Sequence, residues 1–410
     1  MSISIRSIII FLFSYTFINL GVIEIFPFLS ALKYVSDILI IILFVSILRK
    51  KNKYEFNSPI LRQLKIILFS LFFLTLLSYF LHHENFFYYL WGLRNLFKYF
   101  IFWYACTLFL KKDDFYLFAK ISLIALFINT PIMIYQALIL NLFGDNVGGL
   151  WGTITGVNGY TNIHLVLSNI FALVLLSKKR ISYFLTACII LCSCIQAAVA
   201  ELKFFFIEFV ILLSLTFIFS KNKIRLLPII SASIFVLSLG FSLLVFLYNN
   251  NENFFTFDSL SSYSEESYAS HSAGIDRMTA LPLIKTIFLT TIDKFLLGIG
   301  LGNAEFTILY TPIFMQKFEF LHIYFFSHGM LFLETGLLGL ILYYLFFLLP
   351  VPYYYRNRTN EDSQTALVLT FLILTFTFYN QSMRIDSALL VFPFLAFPFI
   401  SSKRLDTNKK

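Results

Sequence analysis

The sequence predicts an all-α integral membrane protein of about twelve transmembrane helices, with one large, partly helical outer loop between the ninth and tenth. Three observations predict it. Of the 410 residues, 59% are hydrophobic and only 13% charged, and mean hydropathy is +0.82, which leaves a water-soluble fold of this size too little polar surface to cover itself. The apolar residues fall in runs of about seventeen to twenty-five, the length a bilayer demands of a helix. Basic residues cluster between alternate runs, as the positive-inside rule expects of short cytoplasmic loops.

Taken in order, the runs place spans near 7 to 27, 32 to 48, 63 to 81, 90 to 110, 115 to 140, 162 to 177, 183 to 199, 204 to 219, 226 to 247, 329 to 349, 366 to 380 and 388 to 400. The first follows Arg6 and lacks a small-residue cleavage site, so it reads as a span rather than a leader. Clusters such as Arg49, Lys50, Lys51 and Lys53, or Lys178, Lys179 and Arg180, all land on one side. About 22 of the 31 Lys and Arg fall there, which predicts that both termini are cytoplasmic. The whole chain, residues 1–410, then forms one polytopic domain whose long connections, about 141 to 161 and 248 to 328, lie outside.

The larger connection opens with a polar stretch, SLSSYSEESYASHS (259 to 272), and continues with amphipathic patterns over 279 to 297 and about 304 to 326. The apolar side chains there, Leu281, Ile284, Ile287 and Phe288 among them, need the membrane interface or the bundle to rest on. No internal repeat is visible. The net charge of +9 is accounted for by the cytoplasmic clusters, so nucleic acid is not an expected partner. Cys106, Cys188, Cys192 and Cys194 sit within apolar runs without His or acidic neighbours, which fits small buried side chains rather than metal ligands. Neither a metal nor a cofactor is expected.

The outer segments carry the chemistry-bearing motifs. Arg277 is followed by the Gly-rich string LLGIGLGNAEF (296 to 306) and then by SHGMLFLETGLLGL (327 to 340), which enters the tenth span. GIGLGN does not open a helix within a strand-helix-strand unit and lies outside, so it is no nucleotide fingerprint. Its glycines suit a tight turn. This order resembles the O-antigen polymerase and O-antigen ligase superfamily, and GLRN (92 to 95), WGTITGVNGYTNIH (151 to 164) and AELK (200 to 203) add shorter matches. The likeness spans roughly residues 90 to 390. One departure is plain: family members often carry His-Asn about nine residues before the Glu, whereas here His328 precedes Gly329 and lies six before Glu334.

The resemblance implies a metal-independent glycosyltransferase that polymerises undecaprenyl-diphosphate-linked oligosaccharide repeats on the periplasmic face of a bacterial inner membrane. Implied partners are those lipid-linked glycans, membrane lipid and, as a candidate, a chain-length regulator protein. Such chemistry needs cations for the diphosphate, a base for a sugar hydroxyl and room for a polyprenyl tail. Arg277, Lys203, Arg94, Lys98 and Arg384 are the candidate cations. Arg94 and Lys98 stand four apart on one helix face, and Lys203 lies in a tight outer turn. The plainer alternatives are snorkelling or pairing with Glu201 and Glu208 for Arg94, Lys98 and Lys203, and a solvated charge beside Asp276 for Arg277.

His328 is the candidate base, with Glu334 beside it at a helix start and His322 and Asn303 as further substrate contacts. His82, His83 and His164 are also outer-side. Two other activities fit part of this pattern. A ligase would deliver finished glycan to lipid A core with the same chemistry. A flippase or secondary transporter would instead line a central cavity with charges and often show repeats.

Overall fold

The computed structural model describes residues 4–49, 58–142, 144–154, 156–248, 275–305 and 311–407. Among these the chain is helical without a strand. The expected spans overlap helical residues, and in chain order the helices are α1 (Ile5–Tyr15), α2 (Asn19–Ile25), α3 (Val35–Arg49), α4 (Pro59–Leu81), α5 (Phe86–Phe109), α6 (Asp114–Leu138), α7 (Asn158–Ser177), α8 (Tyr183–Val199), α9 (Lys203–Phe219) and α10 (Lys223–Tyr248). Three short ones follow, α11 (Ala280–Ile287), α12 (Ile292–Leu297) and α13 (Ile313–Phe318), then α14 (Ser327–Leu348), α15 (Val351–Arg356), α16 (Glu361–Tyr379) and α17 (Phe392–Thr407). Among the described residues seven helices are long and apolar enough to cross a bilayer, eight if the bent α1–α2 pair counts as one.

Local chemistry starts several of them. Asn85 caps α5 by accepting from Phe87 N at 2.9 Å, Ser182 caps α8 by accepting from Leu185 N at 3.2 Å, and Pro59 opens α4, where its missing N–H costs nothing. The α4 helix is apolar all round. Its inward side buries Leu61, Leu64, Leu71 and Leu74, while Ile66, Phe69, Phe73 and Phe80 stand exposed on the other. A surface of that kind requires lipid as its solvent.

The helix at the centre is α7, whose residues from Gly159 to Ser177 are all buried; α6, α8, α9, α10 and α16 pack around it, while α14 rests on α4 and α17 on α5. The first span is not continuous as the apolar run suggests, because α1 and α2 meet at 61°. Trp151, wholly buried, donates its indole N–H to Thr16 O at 2.9 Å, capturing a carbonyl that a straight helix would use for its own ladder. In the large outer loop the expected amphipathic stretches resolve into the short helices α11 to α13 and 3₁₀ turns at Glu319–Leu321 and Ile323–Phe325. The polar stretch 259 to 272 lies outside the described residues.

Candidate functional site

Two polar clusters occupy the end of the bundle where α5, α7, α9 and α14 begin. The first is built on the Gly-rich turn. Within α14, Gly336 adopts φ 66, ψ −169, a region open essentially to glycine, and the resulting break frees backbone carbonyls at its outer side. Ile299 N donates to Leu333 O at 2.8 Å and Gly300 N to Glu334 O at 3.1 Å. On its other flank the turn meets α5, where a Cβ added to Gly92 would lie 2.5 Å from Gly302 N. The GIGLGN string is therefore a joint between α5 and α14, close-packed through backbone.

Charges close this joint. Glu334, 0% exposed, accepts from Gly302 N at 3.0 Å and Ala304 N at 3.2 Å through one oxygen, and from Arg384 Nη2 at 2.7 Å through the other. Arg384 also pairs with Glu305, which receives a further hydrogen bond from the Asn95 amide. Asn303 turns its amide inward, donating to Ile299 O at 3.0 Å and Gly300 O at 3.2 Å. Through these bonds it braces its own turn.

Next to the joint, Lys98 Nζ lies 2.8 Å from Asp37, 2.6 Å from Asp386 and 2.8 Å from Ser36 Oγ. Ser36 Oγ and Asp386 accept from this ammonium, and Asp37 adds an ion pair. Arg94 reaches Asp37 at 2.5 Å and stacks its guanidinium 4.5 Å from the Trp91 ring. In place of a diphosphate, Lys98 holds carboxylates of α3 and of the 386–390 turn together, and Arg94 shares one of them. Neither pairs with Glu201 or Glu208. Nothing in the sequence marks Asp37, Glu305 and Asp386, which become partners of the cations only in the fold.

The second cluster gathers Arg277, Lys203 and His328. Arg277 is only 6% exposed, which removes the solvated-charge alternative; Asp276 instead accepts from Thr279. Arg277 Nε donates to Tyr379 O at 2.8 Å, and its guanidinium lies 5.2 Å from the Tyr379 ring centre. That ring stacks on Phe204 at 4.4 Å and 12°, placing Arg277 close to the α9 start, where Lys203 lies 3.5 Å from Glu201. Glu201 takes φ 56 to close the turn from α8 into α9, and its carboxylate sits over Gly144.

The 144–158 loop completes this cluster. Burial pushes the Asp145 carboxyl up, against the Asn158 hydrogen bond and the positive charge of Arg277. His328 faces Arg277 O at 3.1 Å with Nε2 and Thr377 O at 3.2 Å with Nδ1, its ring stacked on Phe378 at 5.3 Å. A neutral imidazole carries one N–H, which can donate to one of these two carbonyls, and His328 sits directly against the Arg277 backbone. His322 stands apart, at φ 53, with Nδ1 3.1 Å from Tyr324 OH and its ring on Phe325.

The stretch from Tyr379 to Asp386 joins the clusters, with Tyr379 and Asn380 serving the second and Arg384 and Asp386 the first. Ser327 N and Oγ donate to Asn380 O at 3.0 and 2.9 Å, so the entry to α14 is tied there too. At the opposite end of α5 and α14, Leu64, Trp103, Phe346 and Tyr354 line a narrow apolar crevice with no room for a water molecule. Among the described residues no group of three or more His, Cys, Asp or Glu is arranged to hold a metal ion. No protein-family model matches the chain, and a search of curated proteins returns no match either.

Proposed function

We propose that this chain is a glycosyltransferase of the O-antigen polymerase kind, spanning a bacterial inner membrane twelve times with both termini in the cytoplasm and working on the periplasmic face. The observation that carries the reading is the meeting of three connections remote in sequence: Arg277 lies on the Tyr379 ring, Tyr379 stacks on Phe204 beside Lys203, and Glu201 of that turn lies over Gly144 of the 144–158 loop. Arg277 and Lys203 hold the donor diphosphate in this reading. As the glycosidic C–O bond to the diphosphate breaks, charge grows on the leaving oxygen, and fixed cations there favour the transition state over the ground state. The acceptor hydroxyl oxygen forms the new C–O bond to the same anomeric carbon, and its proton passes to the departing diphosphate.

His328 acts on the reaction through Arg277 by holding its backbone, and Glu334 with Arg384 fixes the neighbouring joint. The test is the surface glycan profile of a strain carrying Arg277→Ala at normal protein level. The expected product is a single lipid-linked repeat without a ladder. A normal ladder rejects the assignment. Long lipid-linked chains absent from lipid A core would point to a ligase instead, and repeats trapped on the cytoplasmic leaflet to a flippase.

A further inference from the structure

Within the bundle, away from both clusters, Glu208 of α9 is 0% exposed. It lies one helical turn inward of Phe204 and faces α7 and α16. Asn162 Nδ2 donates to its Oε2 at 2.7 Å, and Thr375 Oγ1 stands 2.7 Å from its Oε1. Among the described residues no Lys, Arg or His forms an ion pair with it. An ionised carboxylate in a membrane interior ordinarily has a cation or several strong donors about it.

The hydrogen count at Thr375 decides between the two forms of the acid. Its hydroxyl has one hydrogen and two close oxygens, Glu208 Oε1 at 2.7 Å and Leu372 O at 2.8 Å. With Glu208 ionised, that one hydrogen must serve both contacts. With Glu208 as the acid, its O–H donates to Thr375 Oγ1, Thr375 donates to Leu372 O in the usual back-bond of a helical threonine, and Asn162 satisfies the remaining oxygen. Every short contact then contains its own hydrogen.

We propose that Glu208 is an intramembrane proton-binding site, held as the neutral acid between Asn162 of α7 and Thr375 of α16. The bound proton closes a hydrogen-bonded chain across the three helices whose outer ends carry the 144–158 loop, Lys203 and Tyr379. Glu208 is thus a positioning residue for that cluster. The inference does not depend on glycosyl transfer, because the carboxyl itself is the readout.

Infrared spectra of the purified full chain in lipid nanodiscs test it. The wild-type minus Glu208→Gln difference is expected to show loss of a protonated carboxylic C=O stretch. Thr375→Val, which removes the acceptor of the acid O–H, is expected to shift that same stretch, and this comparison stands even where the Gln variant fails to fold. Glu208→Gln should keep the melting temperature of the wild type, whereas Glu208→Ala should lower it. Loss of an ionised carboxylate band in the Gln variant, or an acid band unmoved by Thr375→Val, overturns the proposal.

Discussion

Glu334 and Glu208 are both removed from solvent altogether, yet the chain answers them differently. Glu334 receives a guanidinium and two backbone N–H groups, while Glu208 receives one amide and faces one hydroxyl. The backbone explains the contrast. Around Glu334 a Gly-rich turn and a kinked helix leave N–H groups outside any ladder, and these can solvate a charge. Around Glu208 three regular helices spend their N–H groups on themselves, so only side chains remain to meet the carboxyl. Irregular backbone permits a charged acid at one site, and regular backbone favours a neutral one at the other.

The largest effect should come from breaking the charged side of this comparison. Arg384→Ala strands Glu305 and Glu334 without their shared cation and is expected to cost roughly 3–5 kcal/mol, seen as a collapse of the melting temperature in detergent; stability equal to wild type would break the contrast. Gly336→Ala attacks the irregular backbone itself. A side chain at φ 66 is strained and would stand 2.4 Å from Leu296 C, so a loss of about 1–3 kcal/mol from the backbone conformation alone is expected in the same assay. On the neutral side, Thr375→Val removes the acceptor of the Glu208 O–H and the back-bond to Leu372 O and should cost about 1–3 kcal/mol.

The smallest effect sharpens the comparison at its edge. Glu84, in the turn between α4 and α5, lies against Gly300 of the same joint. Burial, reinforced by the Glu334 carboxylate and opposed by the Ser78 hydrogen bond, pushes its carboxyl from 4.5 up to about 8. A raised value means that the folded chain holds the proton more tightly than the unfolded one. The associated stability is fully present below pH 4.5 and is lost as pH rises through about 8. Glu84→Gln should flatten that part of the melting-temperature profile, and an unchanged slope would place the titration elsewhere.

Much of the fold was legible because a bilayer imposes one rule, length of apolar run, that needs no tertiary knowledge. The expected spans accordingly overlap helical residues, the first of them as two helices meeting at 61°. The bend between α1 and α2 was not legible, since it depends on Trp151, which lies 135 residues from Thr16. The site divided in the same way. Arg277, Lys203 and His328 could be picked out as polar residues on the outer side, and they do lie near one another. The partners of Lys98 and Arg384 could not, because ion pairs carry no periodicity; Lys98 and Asp386 stand 288 residues apart. Asn303 and His328 have side chains suited to a ligand, and only the fold shows the backbone carbonyls they lie against.

The proposed activity is tested most directly with the purified chain in vesicles supplied with one undecaprenyl-diphosphate-linked repeat unit and no other protein. The wild type should join repeats into a ladder and release undecaprenyl diphosphate, and Arg277→Ala, folded to the same melting temperature, should do neither. A wild-type protein that leaves the single repeats unjoined, or an Arg277→Ala variant that builds the same ladder, would contradict the account.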